Sequence, residues 1–202
     1  MPTRVFLLSP ARCDGKRAQV LIRDAAAFPL AQRVRTEPGA PLGEVFSFLS
    51  GLYFRGKLAY AQHFGLKSWV ITTNRGLISP DTMVNVEHLR EFGCTDIHES
   101  DAAYRDPLLR DAKAIAASLS KNAQVVLLGS VATGKYVDIL LEVFGDRLRF
   151  PAEFAGRGDM SRGGLMLRCV DRGEELTYVP IAGAARHGRR PPKLEPVKVK
   201  SR

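Results

Sequence analysis

The sequence predicts an α/β fold with a mostly parallel sheet, and two observations carry that reading. Three short apolar runs each stop at a loop of small, hydroxyl and basic residues: VFLLSPARCDGK from residue 5, WVITTNRGLISPDT from residue 69 and VVLLGSVATGKY from residue 125. Strand-like and helix-like segments alternate for most of the chain, which implies parallel strands joined by right-handed crossovers with helices on both faces. In such a sheet, loops that follow the strands gather at one edge, outside the carboxyl ends, where ligands bind.

Each element has a local reason. VFLL reads as a buried first strand, and residues 17–33 as one helix interrupted at Pro29. PGAPLG at 38–43 is a loop, and residues 45–49 are a second strand candidate. Ser50 is a plausible cap for a helix through LYFRGKLAYAQHF that ends at Gly65. A strand at 68–72 follows, then a short helix at 85–92 closed by Gly93. Asp106-Pro107 opens a longer helix, because proline is favoured at the first helical position. A strand at 124–128, an amphipathic helix at 135–144 and a strand at 147–150 complete the alternation. Beyond Gly164, LMLRCV and ELTYVPI flank the turn 171–174 and read as a β-hairpin. The expected architecture is a Rossmann-like three-layer sandwich over residues 1–183, with a C-terminal β-hairpin and a basic tail at 184–202.

Composition narrows the class. With 45% hydrophobic and 25% charged residues the chain is ordinary for a globular protein, and no apolar stretch nears the ~18–20 residues of a membrane span. Cys13, Cys94 and Cys169 form no Cys-x-x-Cys pair, so neither a disulfide framework nor a zinc ribbon is supported. MPTRVFLLSPARC lacks the longer apolar region of a secretory leader, and a reducing cytoplasm is the expected compartment. His63, His88, His98 and His187 make no metal pattern; neither a metal nor another cofactor is expected.

The net charge of +9 is concentrated at one end. Residues 184–202 hold seven basic residues against Glu195, a net +6, and the preceding 183 residues only +3. Such a tail with few apolar residues cannot form a packed core; it is a solubilising end or a phosphate-binding arm.

Four loops, at 9–16, 72–81, 129–136 and 156–164, hold most of the candidate site residues. Gly129-Ser130-Val-Ala-Thr-Gly134-Lys135 fits a phosphate-binding G-x-x-x-x-G-K between strand and helix, but Tyr136 stands where a nucleotide triphosphatase needs a hydroxyl on magnesium. What remains is close backbone approach at the glycines and an anion-favouring helix start. The loop at 72–81 offers Thr73, Asn74, Arg75 and Gly76, a planar cation beside open backbone suited to a base edge or a phosphate. Residues 156–164 pack four glycines, Arg157, Arg162 and Asp159 into nine positions, suiting a loop that brings backbone and bidentate donors to a ligand. Each loop equally suits a plain turn.

LLSPARCDGK, FLSGLYFRGKLAYA, WVITTNRGLISPDT, GKYVDILL and FAGRGDMSRG together resemble a bacterial and phage family of unknown function. That family's pattern runs from a Cys-Ser loop with a lysine, through Ser-x-Leu-Phe-Arg and Ala-Tyr, to a Gly-Leu-x-Pro loop and a Gly-Lys-x-Tyr helix start. It is similar to a domain of archaeosine synthase and to the uracil-DNA-glycosylase-like α/β fold. By position the resemblance marks Ser9, Lys16, Ser50, Tyr53, Arg55, Tyr60, Arg75, Gly76, Leu77, Pro80, Lys135 and Tyr136. Here Cys-Ser has become Ser9-Pro10, and the lysine or histidine before Gly-Leu has become Arg75. The resemblance implies a base- or nucleotide-sized pocket.

The functional expectation is therefore a nucleobase-, nucleotide- or nucleic-acid-binding protein, with N-glycosylase or base-modifying chemistry as its enzymatic form. Such chemistry needs a carboxylate, for which Asp159, Asp81 and Asp14 are candidates, donors such as Arg75 and Asn74, and a stacking ring from Tyr53 or Tyr136. The alternatives are a non-enzymatic nucleic-acid-binding accessory protein that uses the tail, and a nucleotide triphosphatase that uses Lys135.

Overall fold

The computed structural model describes residues 3–132, 134–184, 188, 189, 191, 192 and 194. In chain order the elements are β1 (Arg4–Leu8), α1 (Lys16–Ile22), α2 (Pro29–Val34), β2 (Ala40–Pro41), α3 (Leu42–Ser50), α4 (Leu52–Phe64), β3 (Lys67–Ile71), β4 (Leu77–Ile78) and β5 (Met83–Val84). They continue with α5 (Val86–Cys94), α6 (Ala102–Ser118), β6 (Gln124–Leu128), α7 (Gly134–Phe144), β7 (Leu148–Pro151), α8 (Asp159–Arg172) and β8 (Tyr178–Pro180).

The fold is α/β, built on a mostly parallel six-stranded sheet of order β4-β3-β1-β6-β7-β8. β3, β1, β6 and β7 run parallel, and β4 and β8 flank them antiparallel. β2 and β5 form a separate antiparallel pair. Successive side chains of a strand point to opposite faces, and both Val5–Leu8 and Val125–Leu128 are buried throughout, so both faces of the central strands are covered. α4 packs on β1, β3, α3 and α8, whereas α6 lies against α7 and β4, and α7 against β7.

The chain leaves β1 toward β3 on one side and later returns to place β6 on the other. The order therefore reverses between β1 and β6, and a crevice opens beyond their carboxyl ends, at Ser9 and Gly129.

Four expectations are corrected. Residues 45–49 belong to helix α3: Leu42, Val45, Phe46 and Leu49 are buried at helical spacing, and that periodicity overrides their strand-like composition. Ser50 ends that helix instead of capping the next, a place taken by Gly51. The expected hairpin half at 165–170 lies inside α8, where Arg162, Gly163, Met166 and Cys169 are buried along one helical face. A C-terminal antiparallel strand does form, but its partner is β7, with Phe150 opposite Val179. α6 also starts earlier than Pro107, because Asp101 accepts from the Ala103 amide at 2.9 Å and Tyr104 is fully buried.

Most of the basic tail lies outside the described residues. Of those described, Gly188 and Arg189 run beside Ala155 and Gly156, and Leu194 is near Gly164.

Candidate functional site

The crevice between β1 and β6 is walled by polar groups from four elements. After β1, the Ser9 amide donates to the Leu128 carbonyl at 3.2 Å, which holds the two strand ends together. Gly129 lies directly across: a Cβ there would sit 2.9 Å from Ser9 Cβ and 3.0 Å from the Tyr136 hydroxyl, so the close packing of these three residues requires glycine. Tyr136, buried in the first turns of α7, interacts through its hydroxyl with the Ser9 side chain and the Ser130 backbone.

α4 supplies a group the sequence reading did not single out. Tyr53, Phe54, Lys57, Tyr60 and Ala61 share its buried face, and Lys57 is 0% exposed. Its amine donates to Ser9 O at 2.6 Å and to Ser9 Oγ at 2.9 Å, and it lies 4.3 Å from the Tyr53 ring centroid and 4.7 Å from that of Phe54. Burial pushes the amine down to about 7; Asp159 opposes this and Arg162 adds to it. The signal was available, since a lysine four residues after Tyr53 and three before Tyr60 falls on the apolar face of the helix.

α8 brings the other charges. Arg162 is buried, and its Nη2 and Nε donate to Phe154 O at 3.1 and 3.3 Å. Its Nη1 lies 3.5 Å from Oδ1 of Asp159, whose side chain is 65% exposed. Burial pushes the Tyr53 phenol up, with Arg162 opposing, and among the described residues its hydroxyl meets no hydrogen-bond partner of good geometry. The expected open loop at 156–164 is thus a turn followed by the first turns of α8, and its buried arginine is braced by the backbone.

A cleft of about 400 Å3 beside this crevice is lined by Arg12, Cys13, Asp14, Thr73, Phe92 and Lys135, among others. Loops after β1, β3 and β6 therefore do meet here. Arg12 Nη2 pairs with Asp14 at 2.7 Å and holds that carboxyl below its ordinary value. Burial, with Asp14 adding, pushes the Cys13 thiol up to about 12. Thr73 Oγ1 donates to Phe92 O at 3.0 Å and ties the loop to α5. Lys135 is exposed at the start of α7; Gly134 begins that helix, and Ser130 Oγ accepts from the Ala132 amide at 3.4 Å.

Other candidates are placed elsewhere or are otherwise engaged. Arg75 is exposed and paired to Glu91 at 2.6 Å, and Asn74 is half-buried with Oδ1 unpartnered among the described residues. Gly76, at φ 64°, closes a turn in which Thr72 Oγ1 donates to its carbonyl at 2.9 Å. β4 then carries the chain back along β3, so Asp81 joins Lys67 and Trp69 at the amino end of β3, away from the crevice. Arg55 lines a separate groove with Arg17, Ser50 and Met160, and Lys16 is exposed at the start of α1. Arg157 donates to Glu153 O at 2.9 Å and Ser161 Oγ at 3.2 Å.

No group of three or more His, Cys, Asp or Glu able to hold a metal ion occurs among the described residues, and no helix there is long and apolar enough to cross a membrane. Comparison with family models, curated proteins and solved structures gives no match.

Proposed function

We propose that this protein binds a nucleobase, nucleotide or nucleic acid in the crevice beyond β1 and β6, on a Rossmann-like three-layer scaffold related to uracil-DNA-glycosylase-like domains. The supporting observation is the strand order: it reverses at the strand ends that lead into Ser9 and Gly129, and the exposed Lys135 starts the adjoining helix. In its enzymatic form, Asp159 serves as the carboxylate that activates water, Tyr53 or Tyr136 flanks the base, and the action is base removal or modification in a reducing cytoplasm. The described part of the tail supports a contribution from that segment, because Gly188 and Arg189 run beside Gly156.

The test is fluorescence anisotropy with single-stranded DNA, duplex DNA, RNA and free nucleotides across a salt series. Affinity is expected to fall with salt, and Lys135→Ala to reduce the slope of log K on log salt by about 1 for a phosphate contact. Removal of residues 184–202 is expected to weaken nucleic-acid binding while sparing free nucleotides. Failure of every probe to bind at low salt overturns the proposal.

A further inference from the structure

Lys57 is enclosed without the partner that a buried ammonium needs. Among the described residues no carboxylate lies within ion-pair distance of it, and Asp159, whose charge it feels, is turned largely to solvent beside Arg162. Its polar neighbours are two oxygens of one residue: the Ser9 carbonyl, which can only accept, and the Ser9 hydroxyl, which can donate or accept. A neutral amine also fits this pair: one N–H stays on the carbonyl, and the contact with the hydroxyl, in which a charged amine donates, reverses so that the lone pair accepts the hydroxyl proton. The aromatic rings of Tyr53 and Phe54 close off the remaining sides. Ser9 itself is 6% exposed, packs against Gly129 and immediately precedes Pro10 and Ala11, which line the neighbouring cleft.

We propose that Ser9 is a nucleophile and Lys57 its general base, forming a serine–lysine couple that cleaves carboxylic esters. Activation of a hydroxyl by an adjacent uncharged amine is an established variant of the nucleophile–base arrangement. The downward push on the Lys57 amine keeps a large neutral fraction near pH 7. Ser9 Oγ attacks the ester carbonyl carbon while Lys57 Nζ takes its proton. The carbon–oxygen bond to the leaving group then breaks, and the proton passes from Nζ to the departing oxygen, releasing an alcohol and leaving an acyl ester on Ser9. Water gives a proton to Nζ as it attacks that ester; the acid leaves, and Ser9 Oγ recovers its proton. The net change is ester plus water to acid plus alcohol. The Tyr136 hydroxyl, already interacting with the Ser9 side chain, is the donor at hand for the charge that develops on the carbonyl oxygen. The titratable groups around the amine are Tyr53, Tyr136, Asp159 and Arg162. This activity stands independently of nucleotide binding.

The test uses the full chain and a fluorophosphonate, which an activated serine attacks at phosphorus with loss of fluoride. Intact-mass and peptide mapping are expected to find one adduct, on Ser9, whose rate of formation rises with pH around a midpoint near the value to which the amine is pushed, about 7. Ser9→Ala is expected to abolish it, and Lys57→Met to slow it about 100-fold with circular dichroism unchanged. If Lys57→Met does not fold, the pH profile of the wild-type chain decides. No adduct on Ser9 between about pH 6 and 9, or a rate that follows neither pH nor Lys57, overturns the proposal.

Discussion

An amine as enclosed as Lys57 favours its uncharged form, so folding competes with its protonation. Its ordinary value is 10.5 and its folded value about 7, so between these the unfolded chain binds more protons. By linkage, this group lets stability rise with pH across that window, and its penalty is complete below about 7. The buried phenols shift upward and oppose this only near and above their ordinary 10.0, which leaves the range below it readable. Urea unfolding is therefore expected to show a larger gain in stability from about pH 6.5 to 9 for the wild-type chain than for Lys57→Met, whatever the absolute cost of leaving the Ser9 carbonyl unpaired. Equal pH dependence in the two proteins would contradict the neutral amine.

The cysteines give a second residue-level expectation. Cys94 is exposed, whereas the Cys13 thiol is pushed up to about 12 and Cys169 is buried. Because the thiolate is the reactive form, iodoacetamide near pH 8 is expected to modify Cys94 first and Cys13 much more slowly, read by peptide mass spectrometry.

Among the elements, the crossing of α4 and α8 sets the site, because α4 carries Lys57 and α8 carries Arg162. Two glycines allow it: a Cβ on Gly56 would lie 2.6 Å from the Gly163 carbonyl oxygen, and one on Gly163 would lie 2.8 Å from Tyr53 Cα. Since the obstacles are backbone, Gly56→Ala is expected to cost about 1–3 kcal/mol in chemical denaturation. Gly164→Ala, whose Cβ would only reach Leu194 Cδ1 at 3.7 Å, is expected to be neutral or to stabilise α8 by up to about 1 kcal/mol. The same pair explains what was hard to read in the sequence. β1, β3 and β6 were legible because each carries a compact apolar run ended by polar residues, and β7 because Leu148 and Phe150 alternate with Arg147 and Arg149. α8 was not, because its glycine-rich start looks like a loop and LMLRCV alternates enough to pass for a strand, while burial at 162, 163, 166 and 169 becomes visible only against α4. β4 was likewise hidden: two residues long, it turns the loop after β3 back on itself and removes Asp81 from the crevice.

Across the whole molecule, a strand order that reverses between β1 and β6 collects loops distant in sequence at one edge. The basic groups there are distinct in kind: Arg12 and Lys135 are exposed, Arg162 is braced on backbone, and Lys57 is buried. Most of the net charge sits instead in the final residues, so long-range attraction for a polyanion and short-range recognition belong to different parts of the chain. Shortening the chain after residue 183 is accordingly expected to lower the association rate for nucleic acid and its salt dependence, measured by stopped-flow, more than the affinity for a mononucleotide.

Hydrogen–deuterium exchange of the full chain, with and without a saturating mixed-sequence single-stranded DNA, tests the binding edge most directly. Protection is expected at residues 9–16, 129–136 and 156–164, with residues 65–69 and 79–81 at the far end of β3 unchanged. Protection confined to that far end, or to residues 184–202 alone, would contradict a binding site at the β1–β6 crevice.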